Sequence, residues 1–206
     1  MKTFLRFVPS SCNALQQKTK KSPSTIIKKL SVLLFTLGFY FSTLAQPGAA
    51  LDFDGAGDYV DLPNLIPSGS YTKEVWVNAR SFATGTNSVS GRLSAFWAPG
   101  GNLSSGHNSV YNTVVDPTPM LLNTWYHVAV TYDSITNTMI LYKNGVQVAT
   151  GNPVGNPVGN PVGTYNGELN QYIGAFNNGG GPAFNWDGQI DEVRIWNAVR
   201  TQAQLV

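Results

Sequence analysis

The sequence predicts an all-β sandwich, and three observations carry that prediction. From Pro47 onward the chain holds 20 glycines and ten prolines at short intervals, which leaves little room for a helix of three turns. Between these breakers lie nine short runs rich in β-branched and aromatic residues, the composition of strands. The longest stretch free of both breakers, residues 120–144, reads as strand, turn and strand, and it ends on Asn144-Gly145, the strongest short hairpin signal.

Residues 1–45 stand apart from this pattern. Seven of the 13 basic residues precede residue 30 and no acidic residue does. Lys28-Lys29 leads into the apolar run 30–41, which is followed by small residues and a cut expected after Ala45. That order of basic, apolar and small-residue regions is a secretory signal peptide with a long basic leader region. The apolar run is broken by Gly38 and falls short of the roughly 20 residues a membrane span needs, so no stable membrane insertion is expected after cleavage. The single cysteine, Cys12, lies in this leader, so the domain expected over residues 46–206 has no disulfide and must be held by its core.

Within that domain the expected strands are residues 50–53, 58–62, 72–77 and 92–97, then 124–132 and 138–142 joined by the polar turn 133–137. The Asn144-Gly145 hairpin adds 146–149 and makes the last three an antiparallel meander; 171–175 and 189–196 follow. Only residues 200–206 are helix-prone, and the chain stops there without an anchoring segment, the expectation for a truncated or short surface protein. Gly-Asn-Pro-Val occurs three times in succession from Gly151 and closes on Gly163. A period of four is too short for a stacking unit, so residues 151–163 are expected as a loop of successive β-turns, a surface spacer.

Charge narrows the function. After residue 45 there are six basic and eleven acidic groups, a net charge of −5, with the cations scattered. Such a body lacks the basic face that a phosphate backbone demands, which excludes nucleic acid as a partner.

Six motifs then occur in a telling order: residues 51–60 (LDFDGAGDYV), 71–77 (YTKEVWV), 123–133 (NTWYHVAVTYD), 141–146 (LYKNGV), 172–175 (YIGA) and 187–197 (DGQIDEVRIWN). Together they resemble the laminin G-like jelly-roll domains of the concanavalin A-like lectin/glucanase superfamily, common in secreted bacterial proteins. The resemblance implies a two-sheet antiparallel jelly roll, extracellular or on the cell surface, whose partner is a glycan or an extracellular protein, often beside one structural calcium ion.

Calcium takes six to eight hard oxygen ligands. Two segments rich in Asp and Gly offer them, 54–58 and 187–192, and the resemblance implies that the first and last strands lie side by side. The expected calcium ligands are therefore Asp54, Asp58 and Asp191. Against this stands the reading in which Asp54 and Asp58 only close an Asx-type turn and Asp191 pairs with Arg194. Zinc is excluded, since His107 and His127 are the only histidines, lie far apart and have no thiol to join them.

For sugar binding the expected residues are Trp97 and Tyr111, aromatics in loop-like segments with amides nearby. Trp186 is expected as a packing aromatic, Trp76, Trp125 and Trp196 as core strand residues, and His127 as structural. Glu74 is either a satisfied edge carboxylate or a partner of Arg194. No catalytic residues are assigned. A glycosidase needs two carboxylates facing one bond, yet Asp191 and Glu192 are adjacent and point to opposite faces, while Glu74 and Glu168 stand alone. A Gly-x-Ser-x-Gly nucleophile elbow is absent from the sequence. The sequence thus points to a secreted, non-catalytic recognition module, carbohydrate binding first. The alternative is a protein-adhesion or spacer role in a truncated surface protein, and a glycoside hydrolase comes last.

Overall fold

The computed structural model describes residues 50–63, 69–82, 87–107, 110–153 and 171–205. The expected leader and the greater part of the Gly-Asn-Pro-Val repeat lie outside the described residues. Fourteen strands carry the described chain: β1 (Leu51–Asp54), β2 (Val60–Leu62), β3 (Tyr71–Ala79), β4 (Ser88–Gly91), β5 (Ser94–Trp97), β6 (Ser104–His107), β7 (Val110–Val115), β8 (Trp125–Asp133), β9 (Thr138–Lys143), β10 (Val146–Gly151), β11 (Gln171–Ile173), β12 (Phe176–Asn177), β13 (Pro182–Ala183) and β14 (Asp187–Trp196). They form two sheets. One runs β1-β14-β3-β8-β9-β10, and the other runs β13-β12-β4-β5-β6-β7 with β11 and β2 attached through β4. All pairing is antiparallel except the single bridge between Phe176 and Gly91. The all-β jelly-roll sandwich is thus observed, with the meander β8-β9-β10 in its expected place.

The core lies between the sheets because side chains alternate along each strand. On β3, Tyr71, Val75, Val77 and Ala79 point inward to meet Val128 and Val130 of β8, Ile190 of β14, and Val89 and Phe96 of the facing sheet. Trp186 is fully buried in the same core, as its packing reading expects. Lys73 also points inward, and its ammonium is satisfied there by the Ser94 carbonyl at 2.6 Å and the Ser90 hydroxyl at 3.2 Å.

Thr72, Glu74, Trp76 and Asn78 take the outer face of the first sheet. Trp76, Trp125 and Trp196 stand there half-buried, not in the central core, because each occupies the outward parity of its strand. The helix-prone end becomes a strap across this face. It contains only a short 3-10 turn, Gln202–Gln204, closed by reciprocal hydrogen bonds between Thr201 and Gln204. The strap is pinned at Thr72, whose hydroxyl donates to the Ala198 carbonyl and accepts from the Arg200 amide, and at Leu205, buried against Ala129 and Tyr142.

Candidate functional site

Trp97 and Tyr111 meet. Phe96 fills the core, so Trp97, the next residue, points out of the second sheet. Its indole nitrogen donates to Asn112 Oδ1 at 2.8 Å and to Ser104 Oγ at 3.2 Å, while Ser104 Oγ donates to the same Asn112 oxygen at 2.7 Å. Tyr111 lies edge-on to the indole at 5.8 Å. Both residues are on strands: Trp97 ends β5, inside the strand expected over 92–97, and Tyr111 lies near the start of β7, where the sequence suggested a loop.

Two further rings complete the cluster. Phe176 of β12 is buried and touches Trp97 at 5.8 Å and Tyr111 at 5.1 Å. It fits because Gly91 opposite has no side chain: a Cβ there would lie 2.7 Å from the Phe176 ring. Phe184, just past β13, stands perpendicular to Trp97 at 5.6 Å and rests on Phe176 at 6.0 Å. It remains 38% exposed and adopts φ 54°, a left-handed conformation that bulky residues avoid. Holding an aromatic at the surface in this conformation costs backbone energy. Arg92 steadies the hairpin that carries both phenylalanines, donating to Asn177 Oδ1 at 2.9 Å. Phe176 and Phe184 are not legible from the local sequence because they join Trp97 only through long-range packing; the Asn-Asn-Gly-Gly-Gly stretch before Phe184 is the one local signal of an exposed turn.

The expected calcium ligands do not converge. β1 and β14 are neighbours, as expected, but their register sets Asp54 opposite Asp187. Asp191 lies four residues further along, roughly 13 Å away at strand rise, and faces Trp76 of β3. The carboxylates are also engaged. Asp54 Oδ1 accepts from the Ala56 amide and Asp58 Oδ2 from the Asp54 amide, which is the Asx-type turn. Beside them the cationic position is held by Arg80, which donates to Asp52 at 2.5 Å, to Asp187 at 2.9 Å and to the Phe53 carbonyl at 2.5 Å. Among the described residues no three acidic, histidine or cysteine side chains group to hold a metal. These residues do not fit calcium.

Nor does Asp191 pair with Arg194. Its Oδ1 accepts from the Glu192 amide, while Arg194 binds Glu192 and lies 3.6 Å from Glu74. Glu74 belongs to an inner strand, not an edge; it accepts from Trp196 Nε1 at 2.9 Å and lies 3.5 Å from His127 Nε2. Burial opposes its ionisation, but these hydrogen bonds and the charges of His127 and Arg194 prevail and hold its pKa below the ordinary carboxylate value. A carboxylate kept ionised cannot serve as the general acid of glycoside cleavage.

A family model described as the concanavalin A-like lectin/glucanases superfamily matches residues 54–206. No curated protein matches the chain. Among solved structures, a candidate carbohydrate-binding protein from Bacteroides ovatus is 25% identical with a TM-score of 0.61; the match covers 76% of this chain and 45% of that one. Domain 4 of an extracellular arabinanase from Geobacillus stearothermophilus, in complex with arabinotriose, is 22% identical with a TM-score of 0.58, covering 76% and 74% of the two chains. The carbohydrate-binding module of a Ruminococcus gnavus sialidase, bound to α2,3-sialyllactose, is 13% identical with a TM-score of 0.60, covering 78% and 97%. These last two likenesses are likenesses of fold. The chain spans less than half of the Bacteroides protein's length.

Proposed function

Because the chain belongs to the concanavalin A-like lectin/glucanases superfamily, we propose that it is a non-catalytic carbohydrate-binding module whose ligand packs on Trp97, Tyr111 and Phe184. One observation carries the reading: three half-exposed rings gather around the buried Phe176, with Phe184 held outward at a backbone cost. A sugar offers an apolar C–H face to such rings and hydroxyls to adjacent amides. The amide is Asn112. Its oxygen is taken by Trp97 and Ser104, which leaves its two N–H donors for sugar hydroxyls. The basic, apolar and small-residue order of residues 1–45 supports a place outside the cell, where polymeric glycans are met.

The test is a pair of substitutions read on a glycan array. Phe184→Ala removes an exposed ring without opening the core, so it should lower affinity about tenfold, as loss of a binding hot spot does, with the thermal midpoint nearly unchanged. Trp97→Ala should abolish binding. Undiminished glycan binding by both variants would overturn the site.

A further inference from the structure

We infer that the ligand of this site is a neutral glycan, one without carboxylate, sulfate or phosphate groups. The inference rests on the aromatic site proposed above and comes from a complete account of the domain's positive charge. Past residue 49 the sequence has six cations, Lys73, Arg80, Arg92, Lys143, Arg194 and Arg200, and all six are among the described residues.

None of them is available to an anionic sugar at the aromatic site. Lys73 is sealed in the core on Ser90 and Ser94. Arg80 is clamped between Asp52 and Asp187. Lys143 is paired with Asp116 at 2.5 Å and donates to the Thr118 carbonyl. Arg194 is held by Glu192 and Glu74, and Arg200 lies over the Trp196 ring at 4.2 Å, on the outer face of the other sheet. Arg92 is nearest to the aromatic rings. Its Nη1 donates to Asn177 Oδ1 at 2.9 Å, its guanidinium lies where a side chain at Gly179 would pack, and it shares the surroundings of Tyr172 with Asp61.

An anionic ligand would therefore have to break one of these contacts or bind uncompensated near a body of net charge −5. The groups that do line the site, three aromatic rings and the Asn112 amide, recognise C–H faces and hydroxyls and carry no charge. Affinity for such a ligand should also be indifferent to salt, since no ion pair is there to screen.

The experiment prints neutral oligosaccharides beside the same chains bearing one added carboxylate or sulfate. The full chain and its Trp97→Ala variant are applied at low and at high salt. The inference expects the Trp97-dependent signal on the neutral member of each pair, at least about tenfold above its charged counterpart and unchanged by salt. A Trp97-dependent signal that favours the charged members and falls with salt overturns the neutral assignment and leaves the aromatic site standing. Signal that is absent, or the same in the Trp97→Ala variant, overturns both.

Discussion

Gly188→Ala should cost the domain about 3 kcal/mol or more, enough to leave much of it unfolded, because strain at a left-handed residue and overpacking against rigid backbone each contribute about 1–3 kcal/mol. Gly188 lies near the start of β14, between Phe53 of β1 and Ala79 of β3, at φ 136°. A Cβ there would fall 2.1 Å from the Asn78 carbonyl oxygen and 2.9 Å from the Ala79 Cα. Those are backbone atoms in the middle of a six-stranded sheet, and they can yield only by opening the β14-β3 ladder. Urea unfolding is the measurement, with Gly180→Ala as the control, since a Cβ at Gly180 meets nothing closer than 3.5 Å. The control should stay within about 0.5 kcal/mol of the parent. A Gly188→Ala protein as stable as the parent would mean that β14 does not sit in this register.

Acid should weaken the fold in two stages, the first beginning near neutral pH. His107 is buried, edge-on to Tyr132 at 4.8 Å, and burial followed by the charge of Lys73 pushes its pKa down to about 4. The unfolded chain takes a proton on this imidazole near pH 6.5, while the folded chain refuses it until about pH 4. Across that window the unfolded state binds more protons, so stability falls as pH falls, by about 3 kcal/mol in all at 1.4 kcal/mol per unit. Glu74 adds the second stage. Its folded pKa is depressed, so its contribution is present above the unfolded value of 4.5 and is lost as pH falls through the folded one. Urea midpoints from pH 8 to below pH 4 should trace this decline, and His107→Gln should flatten its upper part alone. A parent profile that is flat between pH 7 and pH 5 would contradict the assignment. The aromatic site has no titrating partner in this range, so affinity per folded molecule should not follow the decline.

The first sheet was largely legible in the sequence and the second was not, for a physical reason. β3, β8, β9 and β14 are long and rich in β-branched and aromatic residues, and the hairpin at Asn144-Gly145 fixes its own turn. β4 and β6 read Ser-Val-Ser-Gly and Ser-Ser-Gly-His, a composition that signals loops. They are strands because their small side chains are buried in the sheet, where Ser105 donates to the Ala95 carbonyl and Ser104 to Asn112 Oδ1. For the proposed site, amide-flanked aromatics were enough to single out Trp97 and Tyr111, two rings that the fold brings together. They could not reveal Phe184, 87 positions away from Trp97 and joined to it only by the fold. Register keeps the three expected calcium ligands, Asp54, Asp58 and Asp191, from converging. The resemblance placed the acidic segments of β1 and β14 side by side, as the ladder has them, but which acids meet depends on register, and Arg80, just past β3, pairs with Asp52 and Asp187 there.

The most direct test of the binding site is a nitrogen-proton correlation spectrum of the labelled protein, recorded while adding the neutral oligosaccharide that gives the strongest array signal. The indole N–H of Trp97 and the side-chain amide of Asn112 should shift together and saturably, while the indoles of Trp76, Trp125 and Trp196 on the opposite sheet stay in place. Saturable shifts at those three indoles with Trp97 unmoved would put the ligand on the other face of the sandwich and contradict the account.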